Sequence, residues 1–449
     1  MQSEAIRNTE TDVLVVGGGT AGFGAAVAAG RLGLSVCLIE ASSKVGGVMA
    51  FCPGMPWGAA YPADAIIGGL MAELTDRLAA MTPPAAEKRP CTLANFGPEI
   101  HYDPEAATLT MFEMLEGAGV DVRLNTTAIE PEMVGDRIAR VTCYDRHGPH
   151  MVTPRIVIDC SGDGDISAKA GVPYTLGDGK GNMMGVTLSF HMIGADCDRV
   201  FADPDPYFTA HAARGIAEGR LHPDLAQLYL MRGFYTDTVF CNSVVLRGVD
   251  GTDPPAISRA TQEGRRRCHQ LARFLVDSVP GFEAARLSTL GPTVGVRETR
   301  KLDGLYKVTG KDLAKATKFA DGIVACDNPV DDVMRAGGDM THDAIVAPGA
   351  YYTIPFRALV PARISNLMFA GRILSADLVA FASVRGMPQC MAMGQATGTA
   401  AALALRTGCA VQEVDTDALV RSLQEQGVNG LGGQPLVPPQ QTDALAPTA

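Results

Sequence analysis

The sequence predicts an α/β fold built on a parallel sheet, on three observations close to its start. Val13 to Val16 is an apolar, β-branched run, the composition of a strand buried on both faces. Gly17, Gly19 and Gly22 follow it as G-x-G-x-x-G, and an alanine-rich stretch, Ala21 to Leu32, then reads as a helix. A second strand, Ser35 to Ile39, closes the unit at Glu40. Each part has a reason. The first glycine permits the tight turn, the second lets a pyrophosphate approach the backbone, and the third lets the helix lie close on the sheet. The helix turns its free N-terminal amides and the positive end of its dipole toward the phosphates. Glu40 stands where a carboxylate accepts ribose hydroxyls. Strand, turn, helix, strand and acid in this order predict a dinucleotide site.

Bulk composition limits the remaining possibilities. The 449 residues are 47% hydrophobic and 19% charged, as in a globular protein with a sizeable core, and the formal net charge of −11 leaves no basic footprint for nucleic acid. MQSEAIRNTE lacks the layout of a signal peptide. Gly386 to Leu405 is uncharged but carries Pro388, Gln389 and Gln395, which suits a packed helix beside a cofactor better than a membrane span. Eleven cysteines are scattered without a C-x-x-C, so neither a redox dithiol nor a clustered metal site is expected, and a reducing cytoplasm is.

Further along, Lys44 to Pro62 reads as irregular and Ala65 to Leu78 as a helix, with a proline-interrupted excursion from Pro83 to Pro104. Ala106 to Ala118 is a helix and Asp121 to Leu124 a short strand. Thr127 to Ala128 with Arg137 to Tyr144 suggests a small antiparallel element, and Arg155 to Asp159 an apolar strand running into Cys160-Ser161-Gly162-Asp163-Gly164-Asp165. There Asp163 or Asp165 is expected to cap the next helix. From Tyr174 to Ala350 the pattern is mixed, with strands near Gly185 to Ile193 and Thr238 to Leu246 and a helix near Pro254 to Ser278. Asn366 to Ala370 is a last apolar strand. No second complete dinucleotide fingerprint follows the first, so the electron partner is expected to bind transiently or to be another molecule.

After Glu40 the chain continues Ala41-Ser42-Ser43-Lys44-Val45-Gly46-Gly47, an acid followed by Gly-Gly. This resembles the FAD-binding unit of the glutathione reductase-like superfamily. Taken with SGDGD, GVRETR (Gly295 to Arg300), AGR (Ala370 to Arg372) and SVRGMPQCMAMGQATGTAA (Ser383 to Ala401), the ordered set resembles the FAD-dependent oxidoreductase family with a succinate dehydrogenase-like FAD domain. The resemblance implies a Rossmann-like FAD-binding domain, a parallel sheet with a β-meander, split by an inserted α+β substrate domain. Its divisions are residues 11–173 and 356–425 for FAD, 174–355 for substrate, and 430–449 as a flexible tail. It also implies that FAD is held by Gly17, Gly19, Thr20, Ala21, Gly22, Glu40, Ala41, Gly46, Gly47, Val48 and Ala128. Ser161, Gly162, Asp163, Gly371, Arg372, Ser383, Arg385, Met391 and Gly394 complete that set. Where relatives carry a threonine after Gly-Gly, this chain runs Val48-Met49-Ala50-Phe51-Cys52. Cys52 can fill the threonine's space or link covalently to the flavin, and both readings stay open.

The flavin carries the redox chemistry, so protein groups need only bind substrate, orient it and move a proton. Arg297, Glu298 and Arg300 suit either bidentate grip on an acidic group or an internal ion-pair network. His342, ahead of Tyr351-Tyr352 and Ile354-Pro355-Phe356, is the first candidate for proton transfer because imidazole titrates near neutrality. Tyr352 is the next. The expectation is hydride transfer between flavin N5 and a small organic, possibly acidic, substrate across a CH–OH, CH–NH or CH–CH bond. The alternatives are a flavin monooxygenase or halogenase, and a non-catalytic FAD-binding assembly protein. The expected partners are the substrate and an external electron acceptor or donor. Substrate identity, direction and oligomeric state, including a homo-oligomer, stay open.

Overall fold

The computed structural model describes residues 8–52, 54–91, 96–333, 341–343 and 345–436, excluding the side chains at 341 and 342. Its main sheet has seven strands. Asp121–Arg123, Val36–Ile39, Asn8–Val16 and Gly148–Asp159 lie side by side and parallel. The far edge of Gly148–Asp159 is shared. Its first residues pair antiparallel with Arg137–Asp145, which pairs in turn with Thr127–Val134, and its last residues pair parallel with Leu367–Phe369. This is the expected parallel sheet with its meander. Alternation along the first strand sends Val13 and Val15 into one core and Leu14 and Val16 into another, so both faces are covered. The register aligns Val16 with Ile39 and with Asp159, and Asp159 with Phe369. Gly17, Glu40, Cys160 and Ala370 therefore leave the sheet at one edge, the carboxyl ends of the strands, where open α/β sheets bind their ligands.

Helix Thr20–Arg31 packs against helix Met387–Thr407, which is buried along most of its length. A Cβ built on Gly394 would meet the Ala21 carbonyl oxygen, and one on Gly398 that of Ala25. The two contacts advance together, so the helices run parallel and both N-termini open on the same side. Among the described residues no helix is long and apolar enough to cross a membrane.

A second sheet is antiparallel, in the order Leu230–Arg232, Thr238–Leu246, Val186–Ile193, Arg286–Leu290. Helix Pro254–Ser278 covers it, capped by the Asp253 carboxylate on Ala256 N. Its buried Ala260, Gly264, Cys268, Leu271 and Leu275 recur every three or four residues, one face of a helix, and form a separate core with the sheet.

Between these cores lies a buried ion pair. Lys301 Nζ donates to Glu298 Oε1 at 2.6 Å and to the Gly177 carbonyl, while Met184 N donates to Glu298 Oε2 at 3.0 Å. Lys301 is 3% exposed and Glu298 1%. Lys301→Met, which leaves that carboxylate buried without its cation, is expected to lower stability by about 3–5 kcal/mol. Urea unfolding monitored by circular dichroism checks this.

Three sequence expectations need correction. The excursion from Pro83 to Pro104 contains a hairpin, Ala86–Arg89 with Glu99–Tyr102, because its prolines fall outside both four-residue strands. Neither aspartate caps helix Asp165–Lys169. Gly164 is the N-cap without a side-chain bond, since Asp163 is drawn to Arg372 and Thr299, and Asp165 to Arg300. Within the expected tail, Leu431 is buried, and residues 437–449 lie outside the described ones.

Candidate active site

The glycine turn is set by backbone sterics. Gly17 has φ +98°, and a Cβ there would lie 2.5 Å from the Cys160 carbonyl oxygen, so the turn passes directly over the next strand's end. Gly19 caps helix Thr20–Arg31 without a side chain, and no acid sits in its first turn, which leaves the N-terminal amides to an anion. Gly386 opens helix Met387–Thr407 in the same way. Glu40 accepts from Gly18 N and Ser42 N, both at 2.7 Å, which fixes its carboxylate beside the turn. Gly46 N donates to Gly18 O at 2.8 Å, laying Gly46-Gly47 on the turn. Ala128 follows Thr126, whose N donates to Glu40 O at 3.1 Å.

Beyond this cradle lies a cavity of about 240 Å³. Its lining includes Val48, Cys52, Arg372, Arg385 and Gly386, together with Thr187, Tyr229, Asn242 and Arg297. Three arginines line it, and two have carboxylates: Arg372 binds Asp163 at 2.6 Å and Arg385 binds Asp331 at 2.6 Å. Arg297 has none among the described residues. Its Nη1 donates to Gly185 O at 2.9 Å and to Thr187 Oγ1, so the contacts fix its position without neutralising it. Burial, then repulsion from Arg385, brings its pKa down to about 10, against weaker support from Asp331 and Cys52. Such a group gains most from a bound anion.

Three buried polar atoms have no hydrogen-bond partner among the described residues: Asn328 Oδ1 and Arg385 Nε, on residues that line the cavity, and Gln389 Oε1, on the first turn of helix Met387–Thr407. The amide orientations are set, because Asn328 Nδ2 donates to Ser383 O at 3.0 Å and Gln389 Nε2 to Ala59 O at 2.7 Å. Two acceptors and one donor therefore await a group with complementary polarity. Cys52 Sγ lies 2.8 Å from Ser189 Oγ, and burial pushes its thiol up, away from the thiolate a covalent bond would need.

The structure brings Gly17 to Gly22, Glu40, Ala41, Gly46, Gly47 and Ala128 to the sheet's carboxyl edge, joined there by Ser161, Gly162 and Gly371. It brings Val48, Arg297, Arg372 and Arg385 to the cavity. It does not bring Ser383, Met391, Gly394 or Tyr352 into the lining. Ser383 and Tyr352 are buried and bonded to each other at 2.7 Å, with the Tyr352 hydroxyl also 3.0 Å from Cys326 Sγ. Met391 and Gly394 belong to the contact with helix Thr20–Arg31. Asp163 serves Arg372 and Thr299. Of the charged run, Glu298 and Arg300 are internal braces, and Arg297 alone faces the cavity. His342 pairs through its backbone with Asp331, and its side chain lies outside the described residues. The sequence reading missed Glu99, a cavity residue whose carboxylate meets His101. Its only signal was Glu-Ile-His, two polar residues on one face of a short strand.

A family profile described as FAD dependent oxidoreductase matches residues 12–426. Among solved structures, an anhydrotetracycline hydroxylase from Streptomyces rimosus is 11% identical, with a TM-score of 0.51 over 92% of this chain and 66% of that one. That likeness concerns the fold alone. A geranylgeranyl bacteriochlorophyll reductase-like protein from Thermoplasma acidophilum is 14% identical, with a TM-score of 0.47 over 94% and 85%. A p-nitrophenol 4-monooxygenase from Pseudomonas putida DLL-E4 is 14% identical, with a TM-score of 0.49 over 94% and 86%. No curated protein matches the sequence.

Proposed function

The chain belongs to the FAD dependent oxidoreductase family, and on that basis we propose that it transfers a hydride between FAD and a small carboxylic acid held in the Arg297 cavity. The carrying observation is the Arg297 guanidinium, fixed in the cavity lining and in no ion pair among the described residues. FAD, when bound, supplies a two-electron donor or acceptor at N5. The chain's residues supply the rest. Amides from Gly19 to Gly22 would hold the pyrophosphate, Glu40 would take the ribose hydroxyls, and Ala128 would contact the adenine. Asn328 Oδ1 and Gln389 Oε1 suit the ring N–H of the flavin pyrimidine, and Arg385 Nε one of its carbonyls, which supports the fit of this cofactor. Arg297 and Thr187 orient the substrate's acidic group, and the apolar remainder of the cavity excludes water. We read residues 174–355 as the substrate unit and residues 11–173 with 356–425 as the cofactor unit.

Anaerobic titration of the FAD-loaded protein with 2-hydroxy acids, 2-amino acids and saturated dicarboxylic acids tests this reading. One class is expected to bleach the flavin band near about 450 nm. If no acid bleaches it while dithionite does, the reading fails. Oxygen-dependent hydroxylation of an added compound would put a monooxygenase in its place.

A further inference from the structure

Glu99 is 6% exposed and stands in the cavity wall on the strand that also carries His101. Alternation puts these two side chains on one face, and the hairpin register sets Arg89 opposite Glu99 and Glu87 opposite His101. His101 Nε2 lies 2.8 Å from Glu99 Oε1, and Arg89 Nη1 lies 3.4 Å from His101 Nδ1. A guanidinium only donates, so Nδ1 is the acceptor there and the ring proton sits on Nε2, donated to Glu99. Arg89 is itself held by the carbonyls of Gly233, at 2.9 Å, and Phe234, at 3.2 Å, and by Glu87. The imidazole is thereby fixed in one tautomer and the Glu99 carboxylate in one orientation. Oε1 is occupied, and Oε2 makes no hydrogen bond among the described residues.

Glu99 thus lines the cavity with one carboxylate oxygen bonded and the other unbonded among the described residues. We infer that Glu99 exchanges a proton with the substrate, with His101 and Arg89 as its positioning residues. The inference rests on reading the cavity as the substrate site. In the oxidative direction a substrate C–H bond breaks and its hydrogen leaves with the electron pair to the cofactor. The adjacent O–H or N–H bond breaks as its proton forms an O–H bond with Glu99 Oε2, and the substrate gains a C=O or C=N bond. Reduction runs the same bonds backward. The charged groups around Glu99 are Arg89, His101 and Glu87 on the hairpin, with Arg297, Arg372, Arg385 and Asp331 sharing the cavity.

Sulfite tests the placement without any substrate, because it adds reversibly to flavin N5 and bleaches the oxidised band. Glu99→Gln keeps the shape and removes the negative charge. It is expected to tighten sulfite binding by about tenfold, because an anion then approaches without a second negative charge beside it. An unchanged sulfite Kd overturns the inference. Glu99→Met, apolar and of similar volume, gives the same readout if the glutamine form loses its flavin. Arg297→Met separates the two ideas. If it leaves sulfite binding unchanged while Glu99→Gln tightens it, the acid-binding reading fails and the role of Glu99 stands. With an acid that bleaches the flavin, Glu99→Gln is expected to slow the limiting rate by about 100- to 10,000-fold at an unchanged half-saturating concentration. Equal limiting rates overturn the inference.

Discussion

Arg297→Met is expected to keep its flavin and lose about 100-fold or more in kcat/KM for the acid that bleaches the wild type, from roughly 3 kcal/mol of lost charge pairing. The flavin should remain because Arg297 is held at Thr187 on the second sheet, whereas the glycine turn and Glu40 leave the carboxyl edge of the main sheet. Arg297→Lys should recover only part of the loss, since an ammonium restores charge but not the planar fork that grips a carboxylate. The pH dependence adds a second test. Arg297 is cationic below its pKa of about 10 and neutral above it. Acid binding should therefore be level on the low side and weaken as pH rises through about 10, a limb absent from Arg297→Met. Stopped-flow bleaching and equilibrium titration measure both. Loss of FAD from the methionine variant would place Arg297 in the cofactor's support instead.

Gly394→Ala is expected to destabilise the protein although alanine is the better helix former. The intrinsic gain is about 1 kcal/mol. Against it, the new Cβ would lie 1.9 Å from the Ala21 carbonyl oxygen, where no flexible side chain can yield. Overpacking of this kind costs about 1–3 kcal/mol and more when backbone must move. The moving backbone would be the first turn of helix Thr20–Arg31, the proposed pyrophosphate site, so flavin content should fall along with the urea midpoint. Gly117→Ala is the control, because a Cβ there meets nothing within 4 Å and should be neutral or slightly stabilising. A Gly394→Ala protein as stable and as yellow as wild type would show that the two helices can separate freely.

The glycine turn, its flanking strands and helix Pro254–Ser278 were legible because their signals are local: apolar runs, a fixed glycine spacing, an acidic N-cap. Arg297 was legible as a charge but not as a cavity group. Its neighbours in the run, Glu298 and Arg300, are charged too and became braces, Glu298 through Lys301 three residues on and Arg300 through the distant Asp163 and Asp165. Glu99 and His101 were hidden by the prolines around them, which concealed a strand pair whose register sets Arg89 opposite Glu99. Tyr352 drew attention as an aromatic near a domain return. Its strand, Tyr352–Pro355, pairs with Gly322–Cys326, and that pairing turns the hydroxyl toward Cys326 and Ser383.

The shared edge of strand Gly148–Asp159 bears on how the protein is made. Val157 finds its neighbour only when Leu367 has been synthesised, and helix Thr20–Arg31 gains its cover only with Met387–Thr407. At roughly 5–20 residues per second the ribosome needs about 10–40 s for the intervening stretch. Throughout that interval the nascent chain displays an open sheet edge and an uncovered alanine-rich helix, while the second sheet and its own core are free to fold. Flavin capture thus waits for the synthesis of Met387–Thr407, and a chain released before Met387 would be a client for chaperones and proteases, not an apoenzyme waiting for its cofactor.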